Sequence, residues 1–226
     1  MHDKKLAVVF RTKFLPYSET FIHDELRHHV RYNVTVLTKM HLNENLFPGH
    51  QVVSLKNRAL LNRVESYLFK KWFFSWTFNH EFSGKNINVI HAHFATGGVY
   101  MIPFSLRYKL PLVVSLHGKD VSLLISKDIY LPKYKFYLNN YRKLFNVASL
   151  FLAASQDLKD IVVSCGCPEE KVIVYRLGID LTKFTPKEHE VLNTHKVVMV
   201  GRLVEKKGFE FGIRAFAKII HQGVDA

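Results

Sequence analysis

Acidic residues are scarce in this chain. Against 32 Lys and Arg stand only 19 Asp and Glu, a formal net charge of +13 over 226 residues. The imbalance implies an anionic partner, and nucleic acid, an acidic membrane surface and a nucleotide sugar all fit its sign. Cysteine is nearly absent: Cys165 and Cys167 stand one residue apart around Gly166. They are too close for an ordinary disulfide and too few for a structural zinc site, and read as inert helix-end residues in a reducing compartment. No apolar run approaches about 18 residues, so a transmembrane helix is not expected. The first apolar stretch is soon broken by Arg11 and Lys13, and reads as a strand instead of a secretory signal. Neither an internal repeat nor a low-complexity segment is present.

What is there is globular material: 48% hydrophobic and 23% charged residues, enough for one large core. The thirteen histidines are scattered. Pairs such as His28-His29 and His91/His93 lack the further ligands that a metal needs, so no metal site is expected.

Short apolar runs alternate with helix-period runs along the chain, which predicts an α/β fold with a doubly wound, Rossmann-like parallel sheet. Strands are predicted at 6–10, 33–38, 51–55, 87–91, 112–116, 150–154, 171–175 and 197–200. Between the first two, 11–17 reads as a loop. Ser18 is placed to cap a helix whose Ile22, Leu26 and Val30 form one apolar stripe, with Glu19 in the first turn where the helix dipole favours a carboxylate. Thr96-Gly97-Gly98 opens one helix, and the tyrosine-rich stretch 133–146 has the period of another. Ser155 caps a third over 156–164.

Strands 87–91 and 112–116 deliver His91-Ala92-His93 and His117-Gly118-Lys119-Asp120 to their carboxyl ends. In a parallel sheet these clusters fall on one edge, the ligand-binding one. The run YLFKKWFFSWTF over 67–78 packs seven aromatic rings around Lys70 and Lys71. Two readings stand, a core helix filled with aromatics and a surface helix that embeds in a membrane interface.

From Thr185 to His195 the sequence turns polar and contains Pro186, as an interdomain linker would. The predicted boundaries are a domain over 1–185, a linker over 186–195, and the first strand and helix of a second domain over 196–226. That second start is KVVMVGRLVEKKG, Lys196 to Gly208. Arg202 lies just past the strand and Lys207 just before the helix glycine, so both can converge on one anion at a helix N-terminus, while Gly201 permits the sharp exit. A solvated basic turn is the competing reading.

The stretch VGRLVEKKG resembles the start of the second domain in the retaining glycosyltransferases of family 4, which have the two-domain GT-B fold. Five further stretches match in family order: FLPYSETFI (Phe14–Ile22), IHAHFA (Ile90–Ala95), SLHGKD (Ser115–Asp120), AASQDLKD (Ala153–Asp160) and RLGIDLTKF (Arg176–Phe184). The nearest branch is the bacterial enzymes that build exopolysaccharide, capsule or lipopolysaccharide. Leu177 departs from the pattern, since an asparagine often precedes this glycine in the family.

The resemblance implies transfer of a hexose from a nucleotide diphosphate sugar to a glycan or lipid-linked acceptor, with retention. It implies no cofactor beyond that donor substrate and no metal, because cations and a helix N-terminus neutralise the leaving diphosphate. Gly201, Arg202 and Lys207 would hold the diphosphate, and His117 would contact the reacting sugar. Ser18, Glu19, Thr20, His93 and Asp120 would face the acceptor. The family's glutamate pair and nucleotide loops lie beyond Ala226, so this chain alone is expected to be inactive. The implied setting is the cytoplasm, peripheral to the inner face of the plasma membrane, with no nucleic-acid role. The alternative is a non-catalytic domain that binds acceptor or membrane.

Overall fold

The computed structural model describes residues 4–55, 60–126, 132–182, 184 and 196–223. Seven strands form one sheet: β1 Lys5–Phe14, β2 Tyr32–His41, β3 Gln51–Ser54, β4 Ile87–His93, β5 Leu112–Leu116, β6 Leu150–Ala153 and β7 Val172–Val174. Their order is β3-β2-β1-β4-β5-β6-β7 and every pairing is parallel. The chain is thus wound outward in one direction through β1–β3 and in the other through β4–β7. The reversal falls between β1 and β4, and the crevice at such a switch point is where doubly wound folds take ligands.

Strand β1 overruns its predicted end. Residues 11–14, read as loop, stay in the ladder because β2 supplies partners to its own end, with Arg11 opposite Thr38 and Phe14 opposite His41. The chain then passes through a 3-10 turn, Tyr17–Glu19, into α1 Thr20–Arg27. The N-cap is Glu19 instead of Ser18, and the Glu19 side chain does not bond the helix N-terminus. Ile22 and Leu26 are buried as the stripe predicts, whereas Val30 lies beyond the helix and is exposed.

The aromatic run 67–78 proves to be two helices. α2 Leu60–Trp72 ends where Phe73 adopts a left-handed φ of 58°, and α3 Trp76–Ser83 begins behind Ser75, whose Oγ accepts from Phe78 N–H. Glu65, fully buried, clasps the corner by accepting from Ser75 Oγ–H, Thr77 N–H and Thr77 Oγ1–H. The corner divides the rings. Phe69 and Phe78 are completely buried against Phe10, Tyr100 and Phe104, while Tyr67, Trp72, Phe74 and Trp76 are 41–58% exposed. The core reading therefore holds for one part of the run, and the other part is exposed.

On the other side of the switch point come α4 Ala95–Tyr108, α5 Lys119–Ile125, α6 Pro132–Val147 and α7 Gln156–Ser164. Gly98 lets α4 pack closely where it crosses the sheet: a Cβ there would lie 3.0 Å from Leu144 on α6 and 3.1 Å from Val114 on β5, tighter than ordinary contact. Tyr137 is buried in this layer, as a core reading of the tyrosine stripe predicts. Ser155 caps α7 by accepting from Leu158 N–H at 3.2 Å.

Contacts divide the chain into two units, Met1–Gly178 and Ile179–Ala226. The predicted linker, 186–195, lies outside the described residues. In the second unit α8 Phe209–His221 forms as predicted, but 197–200 is not a strand: Val197, Val198, Met199 and Val200 are 41–92% exposed. A strand is made by its ladder, and among the described residues none lies alongside this segment to complete one. It approaches α8, where Met199 lies so near Gly212 that a Cβ there would overlap it.

Candidate functional site

The parallel sheet carries β1, β4 and β5 to one edge, and three structural events there bring the predicted residues together. Phe94, directly after β4, takes a left-handed φ of 66° and turns the chain into α4. Gly118, directly after His117, has φ 102° and turns β5 into α5. Asp120, fully buried, joins the two turns: one carboxylate oxygen accepts from Ala95 N–H at 2.7 Å and the other from His117 N–H at 3.2 Å. Asp120 thus caps α4 and fixes the His117 loop. Both of its carboxylate oxygens are engaged by backbone N–H groups.

His117 stands in an aromatic bracket. The Phe94 ring is 4.7 Å from it and the Phe21 ring 4.8 Å, centroid to centroid. His93 stacks nearly parallel at 5.4 Å, with its Nδ1 3.1 Å from His117 Nε2. Over the Phe94 ring, at 4.0 Å, lies the guanidinium of Arg11, which donates from Nε and Nη2 to the two carboxylate oxygens of Glu19 at 2.7 and 2.6 Å. Both members of that pair are largely buried. A fork-to-fork contact of this kind is the strongest form of side-chain ion pair and fixes direction as well as charge. Glu19 therefore turns inward on Arg11, while Ser18 and Thr20 are exposed on either side of it.

The histidines here are held neutral. Burial, and then the positive charge of Arg11, lowers the His117 pKa to about 4. Burial first, and then neighbouring histidines, lowers His91 to about 3 and His93 well below the ordinary value. Neutral imidazoles offer one N–H and one lone pair each, which suits sugar hydroxyls better than phosphate.

Two residues of this site carry no signal in local sequence pattern. Arg11 marks itself only as a charge interrupting a strand. Glu25 looks like an ordinary helix carboxylate, yet it approaches His91 Nδ1 at 3.8 Å and supplies the third donor that His91 and His93 lack in sequence. Donor atoms of the three lie within 4.8 Å of one another. Tetrahedral zinc at about 2.1 Å from each ligand would need separations of about 3.4 Å, so these donors do not converge on one ion as they stand.

In the second unit a 3-10 turn, Glu205–Lys207, leads to Gly208, whose φ of 66° opens α8. Arg202 and Lys207 are exposed. A Cβ at Gly201 would lie 3.8 Å from Lys207 Cδ, so the lysine stem runs beside the residue preceding Arg202. The two cations share one loop before a helix N-terminus, an arrangement suited to an anion.

Comparison with known proteins gives this edge a context. Residues 18–183 match the model described as Glycosyltransferase Family 4. WcaL of Escherichia coli (strain K12), whose name assigns it to the glycosyltransferases of colanic acid biosynthesis, is 32% identical over 142 residues, 61% of this chain and 33% of its own. The amylovoran biosynthesis glycosyltransferase AmsK of Erwinia amylovora is 31% identical over 60% of this chain and 32% of its own. The chain thus spans about a third of the length of these curated relatives. Among solved structures, Anabaena Alr3699/HepE in complex with UDP and glucose superposes with a TM-score of 0.54 at 19% identity, over 79% of this chain and 46% of that one.

The titrations predict an acid-labile unit. His91, His93 and His117 bind protons more weakly folded than unfolded, so their contribution is present above pH 6.5 and is lost as pH falls toward 4. Glu25, raised to about 7 by burial, and Asp120, raised by burial, run the opposite way. Burial also lowers His29 and, to about 4, His50, so five histidines oppose the two carboxyls, and stability in urea should drop by about 1.4 kcal/mol or more per unit from pH 6 to pH 5. A flat or rising stability over that interval would show that the histidines are not held neutral.

Proposed function

The chain belongs to Glycosyltransferase Family 4, and on that premise we propose that it forms the acceptor-side part of an enzyme moving a hexose from a nucleotide diphosphate sugar to a glycan or lipid-linked acceptor, with retention, in cell-surface polysaccharide synthesis. The observation that carries this reading is the neutral His117, bracketed by Phe21, Phe94 and His93 at the β1/β4 switch point. Aromatic faces pack against the C–H faces of a sugar, and uncharged imidazoles bond its hydroxyls without competing for the diphosphate. The names of WcaL and AmsK support polysaccharide as the product class, and the UDP and glucose in the Anabaena structure support a nucleotide sugar as donor.

In this reading Arg202, Lys207 and the α8 N-terminus neutralise the leaving diphosphate, and Gly201 lets the loop approach it. His117 holds a hydroxyl of the reacting sugar, and His93 orients His117. The exposed Ser18 and Thr20 and the Arg11-bound Glu19 line the acceptor side. Residues 1–185 form the acceptor domain, 186–195 the linker and 196–226 the start of the donor domain. The setting is the cytoplasm, at the inner face of the membrane.

In an enzyme of the relatives' full length, transfer from a panel of nucleotide diphosphate sugars tests the assignment. Lys207→Ala removes a charge-assisted hydrogen bond of about 1.5–3 kcal/mol, and kcat/KM for the donor should fall about tenfold or more. An unchanged value would remove Lys207 from the diphosphate site.

The aromatic corner favours membrane attachment as a further property. Tyr67, Trp72, Phe74 and Trp76 are exposed, and the ammonium of Lys71 lies 4.6 Å from the Trp72 ring and 5.8 Å from the Tyr67 ring. Rings of this type settle at headgroup depth beside lysines, and an anionic surface adds about 1 kcal/mol per nearby Lys or Arg. Sedimentation with anionic liposomes at low salt should carry the protein down. Added salt and the double replacement Trp72→Ser, Trp76→Ser should each release it. A folded protein that ignores such liposomes has no membrane face here.

A further inference from the structure

Lys39 takes part in none of the roles above, and its position is unusual for a lysine. It lies near the carboxyl end of β2, half-buried, with its ammonium over the Tyr100 ring of α4 at 5.6 Å. Among the described residues no carboxylate pairs with it. A second cation is set near it instead. Phe69 of α2 stacks on the same Tyr100 ring at 5.2 Å, and the exposed Lys70 follows Phe69 in the last turn of that helix. Burial, and then the charge of Lys70, lowers the Lys39 pKa. Lys70 and Lys71 close a helix, where the dipole favours cations. Lys39, on a strand, has no such reason to be there. A half-buried ammonium beside a like charge is disfavoured until an anion joins it, and such placements mark binding sites.

The strand registers set Lys39 on the same edge as His117. Leu37 pairs with Phe10, Phe10 with Ala92 and Ala92 with Val114, so Lys39 is level with Leu116, the residue before His117. Three strand spacings separate the two, about 14 Å. On the side of Lys39 toward α2, Tyr100 also packs against Phe73 at 5.8 Å, and Phe73 stands in the chain between the exposed rings of Trp72 and Phe74. The edge thus presents neutral imidazole at His117, ammonium at Lys39 and Lys70, and exposed apolar rings at the aromatic corner.

We propose that Lys39 and Lys70 form a second anion site, which takes the diphosphate of a lipid-linked acceptor and lays its apolar chain against the aromatic corner. The proposal rests on the transferase reading and narrows its acceptor to a glycan carried on the diphosphate of a long apolar alcohol. Lysine serves phosphate as a point charge, and two lysines on separate elements match two phosphoryl groups. A soluble sugar phosphate would leave the neighbouring rings in water, whereas a lipid covers them. A bare anionic membrane would meet Lys71 and the exposed rings but not the half-buried Lys39. The glycan would bridge the distance from Lys39 to His117.

Farnesyl diphosphate, kept below its micellar concentration, is the probe. The two tryptophans of the chain, Trp72 and Trp76, both lie exposed in the corner, so intrinsic fluorescence reports occupation there. Farnesyl diphosphate should change this emission saturably and bind about tenfold or more tightly than either farnesol or inorganic diphosphate. An excess of UDP should not displace it. Lys39→Met keeps the stem and removes the charge, and should weaken binding about tenfold, as should Lys70→Ala, while Lys39→Arg retains most of it. Circular dichroism checks folding. Lys70 is exposed, so its variant and the phosphorus spectrum of the probe decide the matter even if Lys39→Met does not fold: wild type should broaden both phosphorus resonances, and Lys70→Ala should do so less at the same concentration.

Equal binding of farnesol or of inorganic diphosphate, displacement by UDP, or unchanged affinity in Lys70→Ala overturns the proposal. Phosphatidylglycerol vesicles that compete as well as farnesyl diphosphate would show a general membrane surface and overturn it too. No transfer is measured, so a negative result removes the lipid diphosphate and leaves hexose transfer to another acceptor standing. Binding by the wild-type chain, with no transfer by an enzyme of the relatives' full length, would keep the site and remove that reading.

Discussion

The carboxylate of Asp120 is the contact on which the site depends. It caps α4 at Ala95 and holds the His117 N–H, so a single buried side chain ties the turn after β4 to the turn after β5. Both turns need unusual backbone, a positive φ at Phe94 and at Gly118. Positions of that kind persist where surrounding interactions over-determine them. Removal of the carboxylate would leave a buried helix N–H without a partner and release the loop that aims His117. The aspartate that the resemblance sets on the acceptor side is here the fastening for the histidine three residues before it.

The second constraint is charge. A strongly basic chain would be expected to present cations at its ligand edge. At this edge the Arg11 guanidinium is locked on Glu19 and the histidines are neutral, and the exposed cation of the loop cluster is Lys119. Arg202 and Lys207, exposed in the loop before α8, belong to the other unit. That separation suits the proposed reaction, which involves a neutral sugar and a diphosphate. It also makes net charge alone a poor guide to the partner.

Much of the architecture was legible because it is local. The sheet follows from short apolar runs set between helical periods, α7 from its Ser155 cap, and the start of α4 from Thr96-Gly97-Gly98. The histidine edge followed from parallel topology. What was not legible depends on residues distant in sequence. Arg11 and Glu19 pair across a strand end, and Glu25 meets His91 only once α1 is laid against the sheet. Residues 11–14 remain in the sheet because β2 runs alongside them. Residues 197–200, equally apolar, have no such neighbour among the described residues and form no strand. The aromatic run defeats a single reading because Phe73 breaks it with a left-handed turn that periodicity does not encode.

The claim that a neutral His117 at the switch point works on the sugar is tested most directly by His117→Ala in an enzyme of the relatives' full length, with folding checked by circular dichroism. Loss of a positioned hydrogen-bonding group at the reacting sugar should lower kcat about 100-fold or more, while binding of the nucleoside diphosphate, held by the other unit, stays within a few-fold. Transfer at the wild-type rate would contradict the account.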